Sequence, residues 1–155
     1  MKDILILYYS KNDSTKRMAR VIARGIESVA DTSAVIRNVK SYHYKDSDDL
    51  LVSKQDLKSC SGMILGSPTH FGNMAAPLKE FLDSTTEEWL NNTLENKLGG
   101  VFTSTSSLHG GQETTLLSMM LPLLHHGMIL AGVPYSEKAL TSTTSGGTKI
   151  GRAHV

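Results

Sequence analysis

At 155 residues, 39% hydrophobic and 20% charged, the chain suffices for one compact domain with a core on two faces, and multi-domain readings drop out. With 16 Lys and Arg against 15 Asp and Glu, the formal charge of +1 supplies no basic field to gather the phosphates of a nucleic acid or an anionic membrane. The single cysteine, Cys60, excludes an intramolecular disulfide framework and a Cys-Cys metal knuckle, and suits a reducing compartment.

Taken in chain order, Ile4 to Tyr9 is a continuous apolar run, the pattern of a strand buried on both faces. It is too short for a signal-peptide core or a membrane span, so the cytoplasm is the expected location. Met18, Ile22, Ile26 and Val29 recur at helical spacing and predict a helix over 15–30. Ser33 to Val39 alternates as a shorter edge strand, Lys40 to Asp49 reads as loop, and Ser53 to Lys58 as a short helix. Gly62 to Gly66 is an apolar strand stopped by Pro68, which cannot donate to a ladder. Met74, Leu78, Phe81 and Leu82 then mark an amphipathic helix with Pro77 in its first turn, followed by a polar connection carrying Trp89 and Leu90. Gly99 to Ser104 is a fourth strand, and Gln112 to His126 a helix expected to kink or break near Ser118 to Pro122. Met128 to Val133 is a fifth strand, apolar on both faces, and Thr141 to Val155 reads as loop.

This alternation of strand and helix predicts an α/β fold, a doubly wound parallel sheet whose ligands bind beyond the carboxyl ends of the strands. Three loops therefore matter: Ser10-Lys11-Asn12-Asp13-Ser14-Thr15, Pro68-Thr69-His70-Phe71-Gly72-Asn73 and Thr105-Ser106-Ser107-Leu108-His109-Gly110-Gly111. In the first, hydroxyls join the backbone N–H groups of a helix N-terminus, a combination suited to a terminal phosphate monoester, though an ordinary capped helix start has the same composition. It is not a Walker or dinucleotide glycine loop. Asp13 opposes such a ligand: at about 4 Å, with an effective dielectric near ~20, it would cost about 4 kcal/mol. A helix N-terminus returns only about 0.3–1 kcal/mol per exposed anion. Asp13 is therefore expected to point away and lend its backbone to the turn at positive φ.

In the second loop an aromatic beside glycine can wall a flat ring, although Phe71 taken alone reads as core and His70 as an exposed loop histidine. His125 and His126 project about 100° apart on a helix, so no shared metal ion is expected, and capping of the helix C-terminus fits them equally. Neither a Gly-x-Ser-x-Gly elbow nor a His-Glu-x-x-His occurs, and hydrolytic chemistry has no support.

At these loops the chain resembles the flavodoxin-like fold, and within it the WrbA-type NAD(P)H:quinone oxidoreductases. The resemblance is carried by Leu7-Tyr8-Tyr9-Ser10 with Ser14-Thr15, by Gly66 through Met74, by Val101 to Ser104, by His109-Gly110-Gly111-Gln112-Glu113 and by His125-His126-Gly127-Met128. It implies a five-stranded sheet of order 2-1-3-4-5. It also implies an FMN whose phosphate is held by Ser10, Lys11, Asn12, Asp13, Ser14 and Thr15. The ring would be lined by Pro68, Thr69, His70, Phe71 and Gly72, with Ser104, Thr105, Ser106, Ser107, Leu108 and His109 along its other edge and the ribityl chain. His126 would be a catalytic histidine at the flavin, and Trp89 an aromatic on the substrate side. The implied reaction is ping-pong: NADH or NADPH reduces FMN, leaves, and a quinone takes its place, with His126 or His70 bonding quinone oxygens or moving protons.

A 2-1-3-4-5 sheet with right-handed crossovers puts the first helix alone on one face. Since no helix is predicted after the fifth strand, that face should expose apolar surface, which either a shortened chain or a partner subunit would explain. A homo-oligomer, dimer or tetramer, is expected. The stretch Gly147-Thr148-Lys149-Ile150-Gly151-Arg152 departs from the family's Gly-Thr-Pro-Tyr-Gly pattern. Two other classes share the motifs: a flavodoxin-like electron carrier, for which the near-neutral charge is unsuited, and a cofactor-free oligomeric scaffold.

Overall fold

The computed structural model describes residues 1–41, 48–144 and, as backbone alone, 152–154; positions 42–47, 145–151 and 155 lie outside the described residues. The stretch 147–151 and most of the expected loop over 40–49 therefore fall where nothing is described.

Five parallel strands form the sheet in the order β2-β1-β3-β4-β5: β1 is Lys2–Tyr8, β2 Thr32–Asn38, β3 Gly62–Pro68, β4 Leu98–Thr105 and β5 Ile129–Leu130. The connecting helices are α1 (Ser14–Glu27), α2 (Lys54–Ser59), α3 (Ala76–Asp83), α4 (Thr86–Leu90) and α5 (Gln112–His125). The fold and strand order read from the sequence are those of the structure.

Strand register sorts the core. Ile6 pairs with Ile64, and Tyr8 with Gly66, which pairs in turn with Phe102. These residues share the face covered by Ala19 and Ala23 of α1. Their neighbours Leu5, Leu7, Met63 and Leu65 face the other way, onto Leu57 of α2, Leu78 and Leu82 of α3, and Leu116, Met119 and Leu123 of α5. Gly66 is needed where it stands, since a Cβ there would enter the Phe102 ring. On α1's side of the sheet Leu98 and its partner Ile129 are each more than half exposed, the apolar surface expected from one-sided cover.

Four expectations change. The fifth strand is two residues long rather than a run over 128–133, because only Leu98 and Gly99 of β4 pair with it. The tail is not all loop: a four-residue helix α6 (Ala139–Ser142) is followed by β6 (Arg152–His154), which pairs in parallel with Thr103 to Thr105. Because β3 occupies the other side of β4, β6 continues the edge that β5 begins. Trp89 and Leu90 lie in α4 rather than in an irregular connection. Finally, α5 runs through Pro122 to His125. Proline removes one hydrogen bond, but Met119 and Leu123 on either side are fully buried against the sheet, and the backbone N–H of His126 still donates to the Pro122 carbonyl at 3.0 Å.

Candidate functional site

The first loop turns sharply at Asp13, which adopts φ 60° and ψ −5° and makes no side-chain cap hydrogen bond to α1. The backbone turn expected of this residue is thus the one it makes. The first-turn N–H groups of α1 point at a small cavity of about 190 Å³ at the carboxyl ends of β1, β3 and β4. Ser10, Lys11, Asn12, Ser14, Thr15, Pro68, Thr69, His70, Ser104, Thr105 and Ser106 line it. Asp13 is exposed and absent from that lining.

Hydrogen bonds tie the three loops into one cradle. Thr15 Oγ1 and Ser104 Oγ lie 3.0 Å apart, the Thr69 N–H donates to the Ser104 carbonyl at 2.9 Å, and Thr69 Oγ1 meets Thr103 Oγ1 at 3.2 Å. Ser67 Oγ accepts from the Ala75 N–H at 2.8 Å and so holds the far end of the second loop. Gly111 (φ 86°) brings the third loop against the second, where an added Cβ would stand 2.9 Å from the Gly72 Cα. Buried Gln112 braces that third loop, donating to the Leu108 and Ser107 carbonyls at 2.7 and 3.3 Å. Among the described residues, Ser10 Oγ is buried with no hydrogen-bond partner. A buried hydroxyl without a partner beside helix N–H groups suits hydrogen bonding to a phosphoryl oxygen.

Burial and the positive charge of Lys11 both push His70 below the ordinary histidine range, so it enters the cradle neutral. Its ring meets Tyr9 edge-on, centroids 6.4 Å apart. Phe71, read from the sequence as core, is instead fully exposed, at φ 52°. Holding a bare aromatic in left-handed backbone has a cost that burial in a core does not repay. Phe71, Gly72, Ser107, Leu108 and His109 are in the three loops but outside the cavity lining.

His126 and Trp89 are elsewhere. A second, larger groove of about 580 Å³ runs between α3, α4 and α5 and shares no lining residue with the cradle. Asn73 and Met74 stand among its walls with Thr85, Trp89, Ser118, Leu121 and His126. The separation follows from helix geometry. Gly111, at the start of α5, abuts the cradle, whereas His126 caps the helix end. Fourteen residues at about 1.5 Å rise place it roughly 20 Å away, near the beginning of β5. Within one chain His126 does not line the cradle.

The groove is nevertheless ordered. Trp89 Nε1 donates to the His125 carbonyl at 2.8 Å, and His126 Nε2 lies 2.9 Å from Thr85 Oγ1. Below them Glu88 is buried and paired with Lys54 Nζ at 2.9 Å. Burial pulls its carboxyl up, but the Lys54 hydrogen bond and charge outweigh that and hold it below the usual range. Thr85 and Ser118 were invisible as site residues in the sequence, and Asn73 was read only as part of the second loop. Only the pairing of distant helices brings them together. Gln112 carried a fainter signal in its place just after two glycines.

With this geometry in hand, the comparisons are direct. Residues 3–139 match the family model of the NADPH-dependent FMN reductases. The chain belongs to that family. A curated NAD(P)H dehydrogenase (quinone) of Chromohalobacter salexigens is 41% identical over 164 residues, covering 97% of this chain and 82% of that protein. Among solved structures, a flavodoxin, WrbA-like protein from Agrobacterium tumefaciens superposes with a TM-score of 0.74 at 23% identity, over 100% of this chain and 84% of that one. A Lactobacillus acidophilus flavoprotein in complex with FMN gives a TM-score of 0.58 at 20% identity, over 91% and 97%. At those identities the structural matches show the flavodoxin-like fold. No described helix is long and apolar enough to cross a membrane.

Proposed function

We propose that this chain is an FMN-dependent NAD(P)H:quinone oxidoreductase that works as a cytoplasmic homo-oligomer. The observation that carries the reading is the cradle. Its α1 N-terminus, hydroxyl lining and partnerless Ser10 Oγ fit the phosphate of a flavin mononucleotide. Ser10, Lys11, Asn12, Ser14 and Thr15 would hold that phosphate. Thr69, His70 and Phe71 would wall the ring, with Ser104, Thr105 and Ser106 on the opposite edge. The chemistry a bound FMN supplies is the relay of a hydride from NAD(P)H to a quinone. The protein's part is to bind, orient and exclude water. The neutral His70 leaves the wall uncharged, and the bare Phe71 offers a stacking surface.

The remaining residues reach the reaction from another copy. His126 and Trp89 line a groove separate from the cradle, with His126 roughly 20 Å from the start of α5, and the family resemblance puts both at the flavin. A neighbouring subunit reconciles the two, its groove closing over this cradle. Leu117, Leu121 and Leu124 form an exposed stripe along α5, and Leu121 lines the groove, so apolar surface sits where such a contact needs it.

The test is an absorption spectrum after mixing with FMN and desalting, followed by anaerobic NADH or NADPH and then benzoquinone. Retained yellow colour that the nicotinamide bleaches and the quinone restores is expected. Colour that no nicotinamide bleaches would make the protein an electron carrier instead, and no retained flavin would leave a cofactor-free scaffold.

A further inference from the structure

The walls of the groove settle a question of protons. Thr85 is buried, and its hydroxyl has two neighbours, the Leu82 carbonyl at 2.6 Å and His126 Nε2 at 2.9 Å. A carbonyl only accepts. The single hydroxyl proton therefore goes to Leu82, and Oγ1 is left to accept from His126, so Nε2 carries the hydrogen. In a neutral imidazole the other nitrogen is then a bare lone pair. Nδ1 is buried and, among the described residues, has no partner. Protonating it would bury a charged donor with nothing to receive it, a much larger cost than an idle lone pair.

From this arrangement we infer that Thr85 is a positioning residue: it locks His126 as the Nε2–H tautomer, a neutral ring that does not act as the acid of the reaction. The charged and titratable groups acting on the imidazole are Glu88 on α4, Lys54 on α2 and His125 on α5, and the paired Lys79 and Asp83 of α3 line the same groove. Burial is the largest influence and lowers the imidazole's proton affinity. Glu88 opposes it, while Lys54 and His125 add to it. Glu88 is already engaged by Lys54, so it is poorly placed to recruit a second cation. A groove walled by such a neutral ring suits an uncharged aromatic ligand rather than a charged one. The role in turnover rests on the proposed quinone reductase reading; the tautomer does not.

The experiment uses the full chain labelled with ¹⁵N-histidine, with the His126 ring signals assigned by their loss in His126→Gln. Long-range proton–nitrogen correlation should show a pyrrole-type Nε2 and a pyridine-type Nδ1, unchanged from about pH 6 to 8. In Thr85→Val, checked for folding by circular dichroism, the two nitrogens should average and the ring should titrate nearer its ordinary range. Thr85→Ser, which keeps the hydroxyl, should restore the original pattern. Quinone kcat/KM should fall roughly two- to ten-fold in Thr85→Val and recover in Thr85→Ser. A pyridine-type Nε2 in the unaltered protein, or a Thr85→Val spectrum identical to it, would overturn the assignment. A changed spectrum with unchanged turnover would support the tautomer and remove His126 from the reaction.

Discussion

The two cavities are built on different principles. The cradle is made of backbone and short hydroxyls, with loops 10–15, 68–73 and 104–111 each leaving a strand and opening toward a helix, and one glycine contact and two hydroxyl pairs hold them. The groove is made of side chains from three helices, and its polar atoms are oriented by one another: Trp89 by the His125 carbonyl, His126 by Thr85, Glu88 by Lys54. A cavity of the first kind recognises a fixed anionic fragment through helix N–H groups. One of the second kind offers shape and a few directed hydrogen bonds to a ring. The cradle abuts the start of α5, and the groove runs beside the helix from Ser118 to His126.

Breaking the cradle should have the largest effect. Gly111→Val forces a side chain into Gly72 and strains a backbone at φ 86°. FMN retention should be lost, with about 1–3 kcal/mol of stability, as read by flavin fluorescence titration and urea unfolding. Ser10→Ala removes one hydroxyl and leaves the loops in place. The FMN dissociation constant should rise roughly ten- to hundred-fold, the range for a hydrogen bond to a charged group.

Groove substitutions should spare the flavin. Trp89→Ala loses a half-exposed ring and its bond to His125. Quinone kcat/KM should fall about ten-fold, with the FMN dissociation constant unchanged in the same titration. The smallest effect on turnover is expected from Lys54→Met, which acts beneath the groove. It leaves buried Glu88 without its partner and should cost about 1–3 kcal/mol of stability at neutral pH, read as a shifted urea midpoint. The pH dependence has a definite sign. Glu88's folded-state pKa is depressed, so its contribution is complete above the ordinary carboxylate pKa and is lost as pH falls through the folded value. The stabilities of variant and parent should therefore converge in acid.

The same contrast explains what the sequence revealed. The cradle was legible because its residues are consecutive: Ser10 to Thr15 could be read as a phosphate loop, and even the backbone of Asp13 followed from charge repulsion and φ tolerance. The alternation of strand and helix was legible from periodicity, whereas the sheet order came through the family resemblance, from which crossover handedness gave the one-sided cover of α1. Pro122 does not break α5, since a local helix rule yielded to the burial of Met119 and Leu123. Phe71 misled, because apolar character is a poor guide to burial in a loop at a strand end. The fifth strand was overlong because apolar residues over 128–133 find only two partners on β4. Trp89 and His126 were named through the resemblance alone, and their meeting with Thr85 and Ser118 in one groove was not legible, since these residues come together only after three helices pack.

The most direct measurement is subunit complementation. Ser10→Ala/Gly111→Val, deficient in the cradle, and Trp89→Ala/His126→Ala, deficient in the groove, should each turn over quinone poorly. Co-expressed or mixed after reversible dissociation, they should recover activity, because hybrid oligomers pair an intact cradle with an intact groove from another copy. Mixtures no more active than the sum of their parts would contradict a site completed between subunits.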